Sequence, residues 1–124
     1  MQTRNQKYAM SAYKQVIKVS EEQKAKYGSM AHKLPILIRT AGLAQALAFV
    51  EAKAANESTH AWKKLLDDLA VTTGNKDKND LVARSRQAEL AEYMQLTREV
   101  LAALLWYKRF AQSELDVNSG EQDS

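Results

Sequence analysis

No cysteine occurs in the chain, which excludes disulfides, thiolate metal sites and a cysteine nucleophile, and fits a reducing compartment. Proline occurs once and glycine four times in 124 residues. So few helix breakers, beside much Ala, Leu, Lys, Gln and Glu, favour helix throughout. No apolar run approaches the roughly 20 residues of a membrane span. The longest candidates are VLAALLWY at 100–107 and KLPILIRTAGLAQALAFV at 33–50, and Arg39 and Gln45 interrupt the second. The basic residues near the N-terminus are not followed by the apolar stretch of a secretory signal. The expectation is a soluble, cytoplasmic protein with no membrane partner.

Catalytic patterns are missing as well. The two histidines, His32 and His60, lack a partner at i+4, so zinc spacing is absent and no metal is expected. Di-iron bundles need a Glu-x-x-His on each of two helices; only one such spacing occurs, Glu57 to His60, so the pair is missing. Neither a GxxxxGK[ST] phosphate loop nor a GxGxxG turn is present, and nothing singles out a nucleophilic serine. Asp67 and Asp68 are adjacent and point about 100° apart on a helix, so they would not share a site. The expectation is no enzyme and no cofactor.

What is there reads as helix. The length suits one compact domain that needs no staple. A first segment spans about Thr3 to Lys26, opened by the capping-box pattern TRNQ and closed at Gly28 as a left-handed C-cap. A second runs from about Ser29 to Thr40, with Pro35 either starting or kinking it. Gly42 marks a bend, and a third segment covers about Leu43 to Ala55. Leu34, Ile36, Leu37, Ile38, Leu43, Leu47, Phe49 and Val50 cannot share one helix face. The stretch therefore reads as a central hairpin covered on several sides. A fourth segment spans about Ser58 to Val71. TTGNKDKND at 72–80 reads as loop, with Asn79 or Asp80 capping the next helix. From Leu81 to about Leu115 the pattern is helical again, with a break near Ser85–Gln87. Here Val100, Leu101, Leu104, Leu105 and Ala111 share a face with Leu90, Tyr93, Met94 and Thr97. Trp106 and Phe110 lie on a different side. The expected fold is all-α, a single compact bundle of about five or six helices over residues 1–115. An acidic flexible tail is expected over 116–124.

Charge is unevenly spread. Residues 1–39 carry eight Lys/Arg against two Glu, and residues 110–124 carry four acids and no base. In the first segment, Tyr8, Met10, Ala12, Tyr13, Val16, Ile17 and Val19 fall on one broad apolar side. Arg4, Lys7, Lys14 and Lys18 fall within an arc of about 80° on the other. A cationic ridge of this kind can lie along a phosphate backbone without reading sequence. With Tyr8 and Tyr13 assigned to the apolar side, the ridge has no interleaved aromatics and base stacking is not expected. That apolar side lacks Leu and Trp, which argues against a membrane-surface helix.

RNQKYAMSAYKQV at 4–16, KLPILIRTAGLAQALAFV at 33–50, AWKKLLDDL at 61–69 and YMQLTREVLAALLWYKRFA at 93–111 resemble, in order and spacing, one known family. This is the small helical, fifth subunit of the Cmr complex, the type III-B CRISPR RNA-silencing machine. Leu34-Pro35, Gly42-Leu43, Ala48-Phe49 and Trp106 with Lys108 to Ala111 carry most of the likeness. The resemblance implies a non-catalytic α-helical subunit whose copies stack along a filament of the backbone subunit. It implies that they line the groove receiving target RNA beside the guide RNA, and touch the large polymerase-like subunit at one end. It transfers no mapped RNA contact. The residues expected at RNA are Arg4, Lys7, Lys14, Lys18 and Arg39, with Lys108 and Arg109 as second choices. The alternative is a helical protein–protein adaptor with no nucleic-acid role.

Overall fold

A computed structural model describes residues 1–118. Among the described residues there are six helices and no strand: α1 Arg4–Val16, α2 Lys24–Ala41, α3 Leu43–Ala54, α4 Ala61–Thr72, α5 Lys78–Gln87 and α6 Leu90–Glu114. Two of them, α4 and α6, form the middle, each packing against several others. Their fully buried Leu65, Leu66, Leu69, Leu96, Val100, Leu104 and Tyr107 meet Leu34, Leu43 and Leu47 from the α2–α3 hairpin. The all-α bundle read from the sequence is therefore what forms. The stretch at 33–50 is a hairpin bent at Gly42, but it lies against the α4–α6 middle and is not covered on all sides, since Ile36 (59%) and Phe49 (45%) are exposed.

The first segment is shorter than its periodicity suggests. α1 ends at Val16, and Lys18 and Val19 donate to carbonyls three residues back, a tightened last turn. The β-branched run Val16, Ile17, Val19 is poor helix, and a new helix starts soon after. Ser20 Oγ accepts from the Gln23 N–H (3.3 Å) while Gln23 Oε1 receives the Ser20 N–H (3.5 Å). That reciprocal pair closes a turn just ahead of α2, which starts at Lys24 with Gln23 at its N-cap. Gly28 is consequently mid-helix and caps nothing. Pro35 neither starts nor ends a helix; it is buried inside α2.

The bend at Gly42 is as read, with φ +91° and ψ 158°, a conformation reserved for glycine. α4 begins at Ala61, three residues after the expected Ser58, where Glu57 Oε1 accepts from the Ala61 N–H at 2.8 Å. Asp77 caps α5 by accepting the Asp80 N–H at 2.9 Å, so the polar loop is shorter than 72–80. The break before α6 falls at Ala88 and Glu89. The buried stripe of α6 is rotated from the expected one: Leu96, Ala103 and Tyr107 join Val100, Leu104 and Ala111 inside, while Leu90, Met94 and Leu105 are exposed. The cause is that α6 is gripped by α1 on one flank and α2 on the other. Of the tail segment, Val117 is buried, and residues 119–124 lie outside the described residues.

Candidate nucleic-acid interface

The ridge is built on α1, so its fixation comes first. The Thr3 hydroxyl accepts the Gln6 N–H at 3.1 Å and Gln6 Oε1 accepts the Thr3 N–H at 2.8 Å, the capping box read from the sequence. Tyr8, Ala12 and Val16, at i, i+4 and i+8, make the buried face against α4 and α6. A polar relay locks the rotation of the helix. Tyr107 donates to the Asp68 carbonyl at 2.9 Å. With its single proton so used, Tyr107 accepts from Thr72 at 2.7 Å, and Thr72 in turn accepts from Ser11 at 2.6 Å. At the far end of α1, Lys64 Nζ donates to the Gln15 carbonyl at 3.3 Å.

Locked this way, α1 presents Arg4, Lys7, Lys14 and Lys18 outward, all four exposed. Among the described residues none of the four has a carboxylate within 4.0 Å, whereas Lys24, Lys64, Lys78 and Arg84 are each ion-paired. Arg4 lies over the Tyr8 ring at 5.5 Å. Lys18 stands in the turn beyond α1, continuing the ridge past the helix end.

The ridge's neighbours differ from those expected. Met10 (47% exposed), Tyr13 (43%) and Ile17 (53%) belong to the outer surface, not the apolar side. α1 touches only two neighbouring helices extensively, so one narrow row suffices to bury it. Tyr13 sits edge-on to Phe110, centroids 5.4 Å apart, and Phe110 stacks on Trp106 at 5.8 Å. The Arg109 guanidinium lies over the Trp106 ring at 5.1 Å. Phe110 and Trp106 are partly buried and packed on the core, so the side they occupy is the α1 side. The spacing of Met10, Tyr13 and Ile17 (i, i+3, i+7) was the available signal, since it forms a second stripe off the Tyr8–Val16 row.

The remaining expected residues are not all brought to this place. Arg109 borders the aromatic row. Lys108 lies about 200° round α6 from Trp106 and is half-buried. Arg39 is exposed near the end of α2, beside the Gly42 bend that meets Tyr93 at the start of α6, on a different flank from α1. His32 Nε2 donates to the Val117 carbonyl at 2.9 Å and is buried; His60 is an exposed, left-handed residue (φ 62°) leading into α4. Among the described residues no three His, Asp or Glu side chains gather as a metal site would require. A solvent-open hollow of about 500 Å³ between α3, α4 and α5 is lined by Ala48, Ala52, Lys63 and the ion pair Lys78–Glu51 (3.1 Å).

Three comparisons bear on this arrangement. The family model described as CRISPR-associated protein (Cas_Cmr5) matches residues 4–114. The CRISPR system Cmr subunit Cmr5 of Thermus thermophilus is 46% identical over 117 residues, covering 94% of this chain and 99% of that protein. The crystal structure of a CRISPR-associated Cmr5 family protein from Thermus thermophilus superposes with a TM-score of 0.80 at 47% identity. That match covers 90% of this chain and 97% of the other.

Proposed function

The chain belongs to the Cas_Cmr5 family, and from that premise we propose that it is a non-catalytic small subunit of a type III-B CRISPR (Cmr) ribonucleoprotein in antiviral defence. It acts in the cytoplasm, stacks along the backbone filament and lines the groove that receives target RNA. Its partners are the backbone subunit, the large subunit, further copies of itself, and the guide and target RNA.

The observation that carries the RNA-facing role is the unpaired ridge of Arg4, Lys7, Lys14 and Lys18 on a helix whose inner face is fixed by Tyr8, Ala12 and Val16. Phosphate contacts of this kind release counterions, so they weaken as salt rises. The test is the quadruple change of Arg4, Lys7, Lys14 and Lys18 to Glu in the assembled complex. The variant is expected to fold and assemble, and to capture target RNA less well at low salt. Capture at wild-type affinity would refute the ridge assignment.

A second reading, a protein–protein adaptor without a nucleic-acid role, draws on exposed apolar side chains away from the ridge: Ile36 on α2, with Met94 and Leu105 on α6. A salt titration separates the two, since apolar contacts lack the steep salt dependence of phosphate binding.

A further inference from the structure

The seam between α1 and α6 carries more than charge. Tyr13, Phe110 and Trp106 stand in a row across it. Tyr13 is the outermost, held by Phe110 yet 43% exposed. Met10 and Ile17 extend the apolar strip about one turn to either side along α1. Lys7 and Lys14 border this strip on α1, and Arg109 borders it on α6. No carboxylate occurs between Met1 and Glu21, and none between Glu99 and Glu114. The strip is thus flanked by cations on both sides, with no acidic residue in the two stretches that form it.

We propose that this seam is a stacking platform for unpaired bases of single-stranded RNA. Tyr13 offers the exposed ring, Phe110 and Trp106 back it, and Lys7, Lys14 and Arg109 meet the phosphates. The proposal rests on the reading of α1 as RNA-facing and adds what happens to the bases.

The chemistry of the borders decides for a nucleic acid over a protein. A docking polypeptide would bring apolar side chains to Tyr13, Met10 and Ile17, and would also need acids placed along both edges. A nucleotide carries a π face and a phosphate in every unit and answers both features at once. Because every base has such a face, the platform is indifferent to sequence. The three rings also cost little to immobilise, since Phe110 and Trp106 are already packed on the core.

The experiment uses the purified full-length chain at low salt and two oligonucleotides of equal length and phosphate number, an oligouridylate and its abasic counterpart. Stacking predicts roughly five- to tenfold tighter binding of the oligouridylate. Tyr13→Ala should abolish that difference while leaving the slope of log K against log salt unchanged, and Tyr13→Phe should restore it. Lys7→Gln with Lys14→Gln should weaken both oligonucleotides alike and flatten the slope by about 0.7 for each lost phosphate contact. A thermal melt of each variant checks that the fold is retained. Equal wild-type affinity for the two oligonucleotides, or no binding of either, overturns the platform. So does a Tyr13→Ala chain that keeps its base preference but drops out of the assembled complex, because the seam is then a protein interface. The base preference and its loss in Tyr13→Ala test the platform alone; the ridge, which shares Lys7 and Lys14 with it, stands or falls on target capture by the charge-reversed complex.

Discussion

Val117 occupies the space directly over Gly28. A Cβ placed on Gly28 would lie 2.6 Å from Val117 Cβ, and 2.8 and 2.9 Å from its two methyl carbons. Val117 is pinned there: its N–H bonds to the Ala111 carbonyl at 2.9 Å and its own carbonyl receives the His32 Nε2–H. Asp116, with φ 58°, turns the chain into this position. In an open helix, glycine to alanine stabilises by about 1 kcal/mol. Gly28→Ala should instead destabilise by about 1–3 kcal/mol, as overpacking does, read from urea melts. In a Val117→Gly background the same change should become neutral or stabilising. An equal penalty in both backgrounds would show that the contact is not the cause.

Asp68 is a buried carboxylate shared by two donors. Its Oδ2 accepts from the Tyr27 hydroxyl at 2.7 Å and from Lys64 Nζ at 2.7 Å. Burial still wins and holds Asp68 above its ordinary value, with Lys64 and Tyr27 only partly offsetting it. A raised carboxylate stabilises most below its unfolded pKa, and that contribution is lost as pH rises through the folded value. At pH 7, Asp68→Asn should therefore cost less than about 1 kcal/mol, because the amide oxygen can accept both donors. Asp68→Ala strands the buried Tyr27 hydroxyl and leaves Lys64 unpaired, and should cost about 2–3 kcal/mol. On acidification, wild type should gain relative to Asp68→Asn. Thermal melts of the three proteins at pH 7 and pH 4 check both statements.

Glu57 should respond to acid in the opposite sense. Burial pushes it up, but hydrogen bonds from the Thr59 hydroxyl and N–H and from the Ala61 and Trp62 N–H groups outweigh that and hold it below 4.5. The stabilisation is present above the ordinary value and lost as pH falls through the depressed one. Since Glu57 caps α4, Glu57→Ala should cost about 1–2 kcal/mol at pH 7. The gap between wild type and variant should narrow toward pH 3. A gap that stays constant across that range would mean that the carboxylate charge is not what caps the helix.

Much of the bundle was legible because helical periodicity is a local property. The capping box at Thr3, the bend at Gly42 and the ridge itself all follow from residue order within a few turns. What escaped depends on partners distant in sequence. Gly28 reads as a helix end until Val117, far along the chain, is seen to lie on it. The Ser20–Gln23 turn separates α1 from α2, yet the signal was hidden inside an apparently continuous pattern. Tyr13 has the spacing of a core residue, and only the narrow seating of α1 on α4 and α6 turns it outward. The ridge was therefore readable and its aromatic border was not, since half of that border comes from α6.

The α2–α3 bend ties its hairpin to the start of α6, and its two components can be separated. Tyr93 Oη accepts the Ala44 N–H at 3.1 Å, satisfying a donor in the first turn of α3 that has no partner within the helix. The same oxygen would lie 3.3 Å from a Cβ on Gly42. Tyr93→Phe removes the acceptor and the close approach together, and should cost about 1 kcal/mol. Gly42→Ala forces a side chain into a backbone region that only glycine occupies comfortably, and should cost about 1–3 kcal/mol. If backbone strain dominates, Gly42→Ala costs nearly as much in the Tyr93→Phe background as in wild type. If the tyrosine contact dominates, the penalty largely vanishes there. Strain is expected to dominate, because a 3.3 Å contact can relax by a small shift of the hydroxyl whereas φ +91° cannot change without swinging α3 away from α2. Chemical denaturation of the two single variants and the double variant reads the difference directly.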